Sequence, residues 1–148
     1  MRRFVGLNFA LLLMAISATG AWAAPPGYYK DQNVAYHNDG GGPDNATYFR
    51  KMLNNLKNHV APWARPMRVV DHGDGVTMLQ MANTDEKLAQ LIDARKAEGI
   101  QFLVCQNTLD ERNIDWHTLY GVKQEDLVPS GVAELARLQL MGFQYIHP

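Results

Sequence analysis

The chain has 148 residues, of which 47% are apolar and 20% charged, and its formal net charge is −1. That length holds one domain and hardly two, and the apolar share is enough for a real core. Near-balanced charge leaves no electrostatic footprint for nucleic acid, so no such partner is expected.

The first segment reads as an address rather than as part of the fold. Arg2 and Arg3 make a basic start, residues 4–16 are apolar apart from Gly6 and Asn8, and Ala21-Trp22-Ala23 is an A-x-A cleavage pattern. This series predicts a secretory signal peptide over residues 1–23, leaving residues 24–148 as a single α/β domain. The residues after the arginine pair favour the general export route over the twin-arginine route. The apolar run is short for a bilayer span, so no membrane attachment is expected after cleavage. Losing Arg2 and Arg3 takes the net charge from −1 to −3. The mature protein is expected to be periplasmic or secreted.

Residues 33–37 (Asn-Val-Ala-Tyr-His) predict a first strand. The Gly40-Gly41-Gly42 loop behind it lacks the spacing and the Lys-Ser/Thr ending of a P-loop. Asp44 or Asn45 can cap a helix in which Phe49, Met52, Leu53, Leu56 and Val60 form one apolar face, with Pro62 as the stop. Residues 67–72 predict a second strand, and residues 76–81 a short helix or turn. Met78 and Met81 with His72 offer copper-binding chemistry, but Met at helical spacing more often fills a core, and no metal or cofactor is assigned. Asn83 or Thr84 should cap a helix with Leu88, Leu91 and Ile92 inward and Gly99 as its stop.

Residues 100–104 lead into Cys105, the only cysteine. The run is apolar enough for a strand buried on both faces. Thr108 and Glu111 have capping-box spacing, which predicts a helix opening near Asn107 or Thr108. Cys105 then sits at a strand-to-helix junction, where free N–H groups and the positive end of a helix favour a negative sulfur. One cysteine makes no disulfide within a chain, so it is buried and inert, paired between chains, or kept for its reactivity. Residues 115–120 predict a helical turn and residues 126–128 a short strand. Ser130 caps a last helix with Val132, Leu135, Ala136, Leu138 and Met141 inward, and residues 143–146 form a fifth strand.

The order β-α-β-α-β-α-β-α-β predicts a three-layer α/β/α fold with a mostly parallel five-stranded sheet. Ligands of such sheets bind at the carboxyl ends of strands. His37 and Asn38, His72, Cys105 and Asn107, and Ser130 all lie at those ends. They are the candidate site, with Cys105 as the reactive group and the others as binding residues. Cys105-Gln106-Asn107-Thr108-Leu109 and the stretch from Val128-Pro129-Ser130-Gly131-Val132-Ala133-Glu134-Leu135 to Gly142-Phe143-Gln144-Tyr145-Ile146 resemble the DsrE/DsrF-like family. So do His37-Asn38-Asp39 and His72-Gly73. The resemblance implies homo-oligomers such as trimers or hexamers. It also implies sulfur transfer through a persulfide on Cys105, with a sulfur donor or acceptor protein as partner. Two features depart from the pattern: related relays are cytoplasmic, and no second thiol is present here. The competing reading is a non-catalytic oligomeric binding module with Cys105 as a core residue.

Overall fold

Alternation of side chains decides how the first strand sits. In β1 (Gln32–Asn38), Val34 and Tyr36 enter one apolar cluster, while Ala35 enters another on the opposite side. The same split recurs in β2 (Ala64–Asp71), with Met67 and Val69 against Val70, and in β3 (Gln101–Cys105), with Phe102 and Val104 against Leu103. Such strands are apolar on both faces, as a sheet covered on both sides requires. With β4 (Leu127–Val128) and β5 (Gln144–Ile146) they form one sheet in the order β4-β3-β2-β1-β5, every neighbour parallel. The computed structural model describes residues 25, 28–29, 31–40, 45–60 and 64–148. The signal segment 1–23, residues 41–44 of the glycine loop and Pro62 lie outside them.

Helices α1 (Asn45–Val60), α2 (Thr77–Met81), α3 (Glu86–Ala97) and α4 (Gln106–Arg112) connect the first four strands and contribute to the larger cluster. The chain then reverses. Helix α5 (Gly131–Leu140) carries it from β4 across the sheet to β5, outside β1. A crossover that keeps its right hand while travelling the other way must pass over the opposite face. Among the described residues, α5 and the turn after it cover that face, through Leu135, Leu138 and Phe143 on Ala35, Val70 and Leu103. The expected three-layer α/β/α fold is present, with unequal outer layers.

The α1 face is as expected: Phe49, Met52, Leu53, Leu56 and Val60 are all buried. Several local expectations are corrected. Strand β2 begins at Ala64, earlier than residue 67, and its pairing with β1 slips between Gln32 and Val34. The extra residue accommodates Pro66, which has no N–H for a ladder. Asp85, not Asn83 or Thr84, caps α3 by accepting from Leu88 N at 3.0 Å. Helix α4 starts at Gln106 with Cys105 as its N-cap residue, and the Thr108 hydroxyl is spent on Gly73 N at 3.0 Å. On α5, Val132, Ala136 and Met141 are exposed, because one helix alone on a sheet face buries only a narrow stripe. Met78 is buried in the larger cluster, whereas His72 points to the α5 face, so the copper-like set does not converge.

Candidate active site at the carboxyl edge of the sheet

The switch in crossover direction falls between β3 and β4. Strand β3 turns into α4 on one face, and β4 turns into α5 on the other. An open α/β sheet parts its loops at such a point and leaves a crevice at the carboxyl ends. Cys105 stands on one side of it and Pro129-Ser130-Gly131 on the other. Cys105 pairs with Val128 across the ladder, and Asn107 N donates to Pro129 O at 3.4 Å. Ser130 Oγ accepts from Ala133 N at 3.4 Å and caps α5 as predicted.

The ladder places His72 beside Cys105, since Asp71 pairs with Val104 one position earlier. Both side chains point toward α5. A β-carbon placed on Gly131 would lie 2.9 Å from His72 Cβ and 3.2 Å from Cys105 Cβ, so the first residue of α5 roofs both. Only glycine permits so close an approach without displacing one of them. Cys105 is 5% exposed. Among the described residues, the cover of Cys105 is the start of α5.

From Cys105 a line of polar groups runs across the α5 face. His72 Nε2 and His37 Nε2 share a hydrogen bond, and the two rings stack with centroids 4.6 Å apart and 9° between planes. His37 Nδ1 bonds the Tyr145 hydroxyl at 2.7 Å, and His147 Nε2 donates to or shares a proton with Asp39 Oδ1 at 2.9 Å. Burial lowers the pKa of His37, reinforced by the charge of His72, and burial lowers that of His72. Burial pushes the Asp39 carboxyl up, but the hydrogen bond from His147 and the nearby imidazoles bring it lower on balance. Two neutral imidazoles joined at Nε2 have two consistent proton arrangements. In one, Tyr145 donates to His37, His37 donates to His72, and His72 Nδ1 carries hydrogen. In the other, every donor reverses and His72 Nδ1 becomes an acceptor.

Asn38 belongs to a different structure. It is fully buried on the opposite face, where Nδ2 donates to Asp71 Oδ1 at 2.6 Å and Gly75 O at 3.3 Å. Asp71 Oδ2 and the Tyr48 hydroxyl are buried there with no hydrogen-bond partner among the described residues. Burial pushes the Asp71 carboxyl up to about 7 and the Tyr48 hydroxyl up to about 12. Of the predicted residues, then, His37, His72 and Cys105 share one face, Asn107 and Ser130 flank the crevice, and Asn38 anchors strand ends below it. Sequence reasoning did not single out Asp39, Tyr145, Gly131 or His147 as site residues. Finding Tyr145 and His147 required knowing that β5 lies beside β1, a non-local pairing. A cleft of about 400 Å³, lined by Gln32, Tyr36 and His59 among others, opens near the start of β1 and includes none of the predicted site residues.

The family model for DsrE/DsrF-like proteins matches residues 4–148. A protein of unknown function, MTH1491 from Methanobacterium thermoautotrophicum, is 28% identical, with a TM-score of 0.65 over 80% of this chain and all of that one (100%). The ychN protein from E. coli is 16% identical, with a TM-score of 0.56 over 79% of this chain and 99% of its own, and shares the fold. No curated protein matches the chain. With the family model spanning nearly every residue and the sheet order and strand-end residues in place, the chain belongs to the DsrE/DsrF-like family.

Proposed function

We propose that this protein binds and transfers sulfane sulfur, with Cys105 as the carrier. The observation that carries the reading is the place of Cys105. It is the N-cap residue of α4, its thiol making no cap hydrogen bond, at the switch point of the sheet, beside His72 and under the first residue of α5. Membership in a family associated with sulfur relay supports the same chemistry.

In the transfer, the Cys105 thiolate attacks an outer sulfur of a polysulfide, its proton having passed to the neutral His72. The S–S bond to the remaining sulfurs breaks and the shortened polysulfide leaves with that electron pair. Cys105 ends as a persulfide, and no external oxidant is consumed. A thiol acceptor takes the outer sulfur in the reverse sense. The exposed Asn107 side chain at the rim holds the anionic donor. The protein acts as an exported homo-oligomer, periplasmic or secreted, exchanging sulfur with a donor or acceptor protein.

One observation favours a second reading. Cys105 is only 5% exposed, as a packed core cysteine would be. The two readings part under intact-mass measurement of the purified protein after incubation with polysulfide. The carrier reading expects a gain of one sulfur atom, absent in Cys105→Ser. A native protein that gains no sulfur, and whose thiol is labelled only after denaturation, makes Cys105 a core residue and the protein a binding module. The same spectrum gives the N-terminus. Export by the predicted signal expects Ala24, and retention of Met1 in the exported fraction overturns it.

A further inference from the structure

At the far end of the same edge from Cys105, three side chains meet from two strands and a loop. His37 is the last residue but one of β1, Asp39 follows β1, and His147 follows β5. The ladder brings them together: Tyr36 pairs with Ile146, so the next residue of each strand, His37 and His147, lies side by side on one face. Their ring centroids are 5.0 Å apart, tilted by 59°. One ring nitrogen of each histidine and one carboxylate oxygen of Asp39 all lie within 4.8 Å of one another.

We infer that His37, Asp39 and His147 form a binding site for a divalent first-row transition metal such as zinc. The donor set fixes the class. Two imidazoles and one carboxylate suit zinc, nickel, copper(II) or ferrous iron. They do not suit magnesium or calcium, which want mostly oxygen, nor copper(I), which wants sulfur. A tetrahedral ion with ligands at about 2.0–2.2 Å holds donors a little over 3 Å apart. Asp39 Oδ1 and His147 Nε2 are already at 2.9 Å, so the ion takes the place of the hydrogen bond between them. His37 gives up one of its two ring hydrogen bonds to the ion, and the one it keeps, to the Tyr145 hydroxyl at Nδ1 or to His72 at Nε2, orients the ligand ring.

Three protein ligands leave at least one position for water or an exchangeable ligand. The Asp39 and His147 side chains are 39% and 44% exposed, so an ion can enter without unfolding the edge. Cys105 is not among the ligands. It stands on β3, with β2 between it and β1, and the site does not depend on the sulfur chemistry proposed for it.

The test uses untagged protein stripped with a chelator and then titrated with zinc by calorimetry, and with cobalt(II) by visible absorption. The expected result is saturation at one ion per chain. Asp39→Asn and His147→Ala should each weaken binding by at least about tenfold, the scale on which even supporting residues of metal sites act. His117→Ala and Cys105→Ser should leave it unchanged. The cobalt spectrum should show ligand-field bands without thiolate charge transfer. Thermal melts confirm that the variants are folded, and should Asp39→Asn fail to fold, His147→Ala decides alone. Absence of saturable binding overturns the site, as does equal affinity in the folded variants or a charge-transfer band lost in Cys105→Ser.

Discussion

Asp71 is the residue whose environment is most at odds with its chemistry. It is fully buried, one oxygen is held by Asn38, the other has no partner among the described residues, and its pKa rises to about 7. In the unfolded chain the carboxyl ionises near its ordinary value of 3.8. Between those values the folded state holds a proton that the unfolded state has released. Stability therefore falls as pH rises from about 4 to about 7, by up to roughly 1.4 kcal/mol per pH unit, and levels off above. Asp71→Asn keeps an oxygen for Asn38 and carries no charge. It should be more stable than the native protein at pH 8, and the gain should shrink at pH 5. Urea midpoints of both proteins at the two pH values decide this, and an equal difference at both would remove Asp71 as the titrating group. Asp71 is not among the charges that shift His37 or His72, so the comparison isolates Asp71. Nothing in the sequence near Asp71 announces this. The residue ends a strand like Cys105, and Asn38, which holds it, is itself enclosed by Gly75 and Met78.

At the scale of elements, periodicity was a good guide where a helix has neighbours on both sides and a poor one where it has none. The apolar face of α1 was legible in full because α2, α3 and the sheet surround it. The face of α5 was misread at Val132 and Met141, since the count of apolar residues cannot say how much cover a lone helix receives. Caps divided the same way. Ser130 stands directly before its apolar run and was found. Asp85 was passed over for Asn83 and Thr84, which have the favoured residue types but lie in the turn leaving α2. Asp85 caps Leu88 N and also pairs with Arg50 of α1, so Asp85→Ala removes two contacts. It should cost about 1–2 kcal/mol. Ser130→Ala removes one bond of 3.4 Å and belongs near the lower end of the usual range of about 0.5–2 kcal/mol. Denaturant melts of the two variants should show Asp85→Ala the more harmful. The reverse order would mean that α5, over Cys105 and His72, depends on its cap more than its geometry indicates.

At the scale of the whole molecule, the sheet was predictable because βα alternation leaves few topologies, and the placement of β5 outside β1 was not, because it depends on one long-range crossover. That crossover has a consequence for assembly. Among the described residues, one sheet face carries helices along its length and the other carries α5 alone. Large apolar side chains consequently remain in water on α5 and beside it: Val132 is 62% exposed, Leu140 91%, Met141 57% and Tyr145 44%. A monomer has no use for a leucine that touches almost nothing, and clustered exposed apolar groups mark contact surfaces in soluble proteins. Self-association through the α5 layer is therefore expected, as a dimer, trimer or hexamer, measured by light scattering at micromolar concentration. Leu140→Asp places a charge in that contact and removes no internal packing. It should shift the protein toward monomer while leaving the far-UV spectrum unchanged. If the native protein scatters as a clean monomer, or Leu140→Asp assembles as the native protein does, the α5 layer is not the contact. Because α5 also roofs Cys105 and His72, assembly through this layer should slow or speed thiol labelling of Cys105 as protein concentration changes, and Leu140→Asp should abolish that concentration dependence.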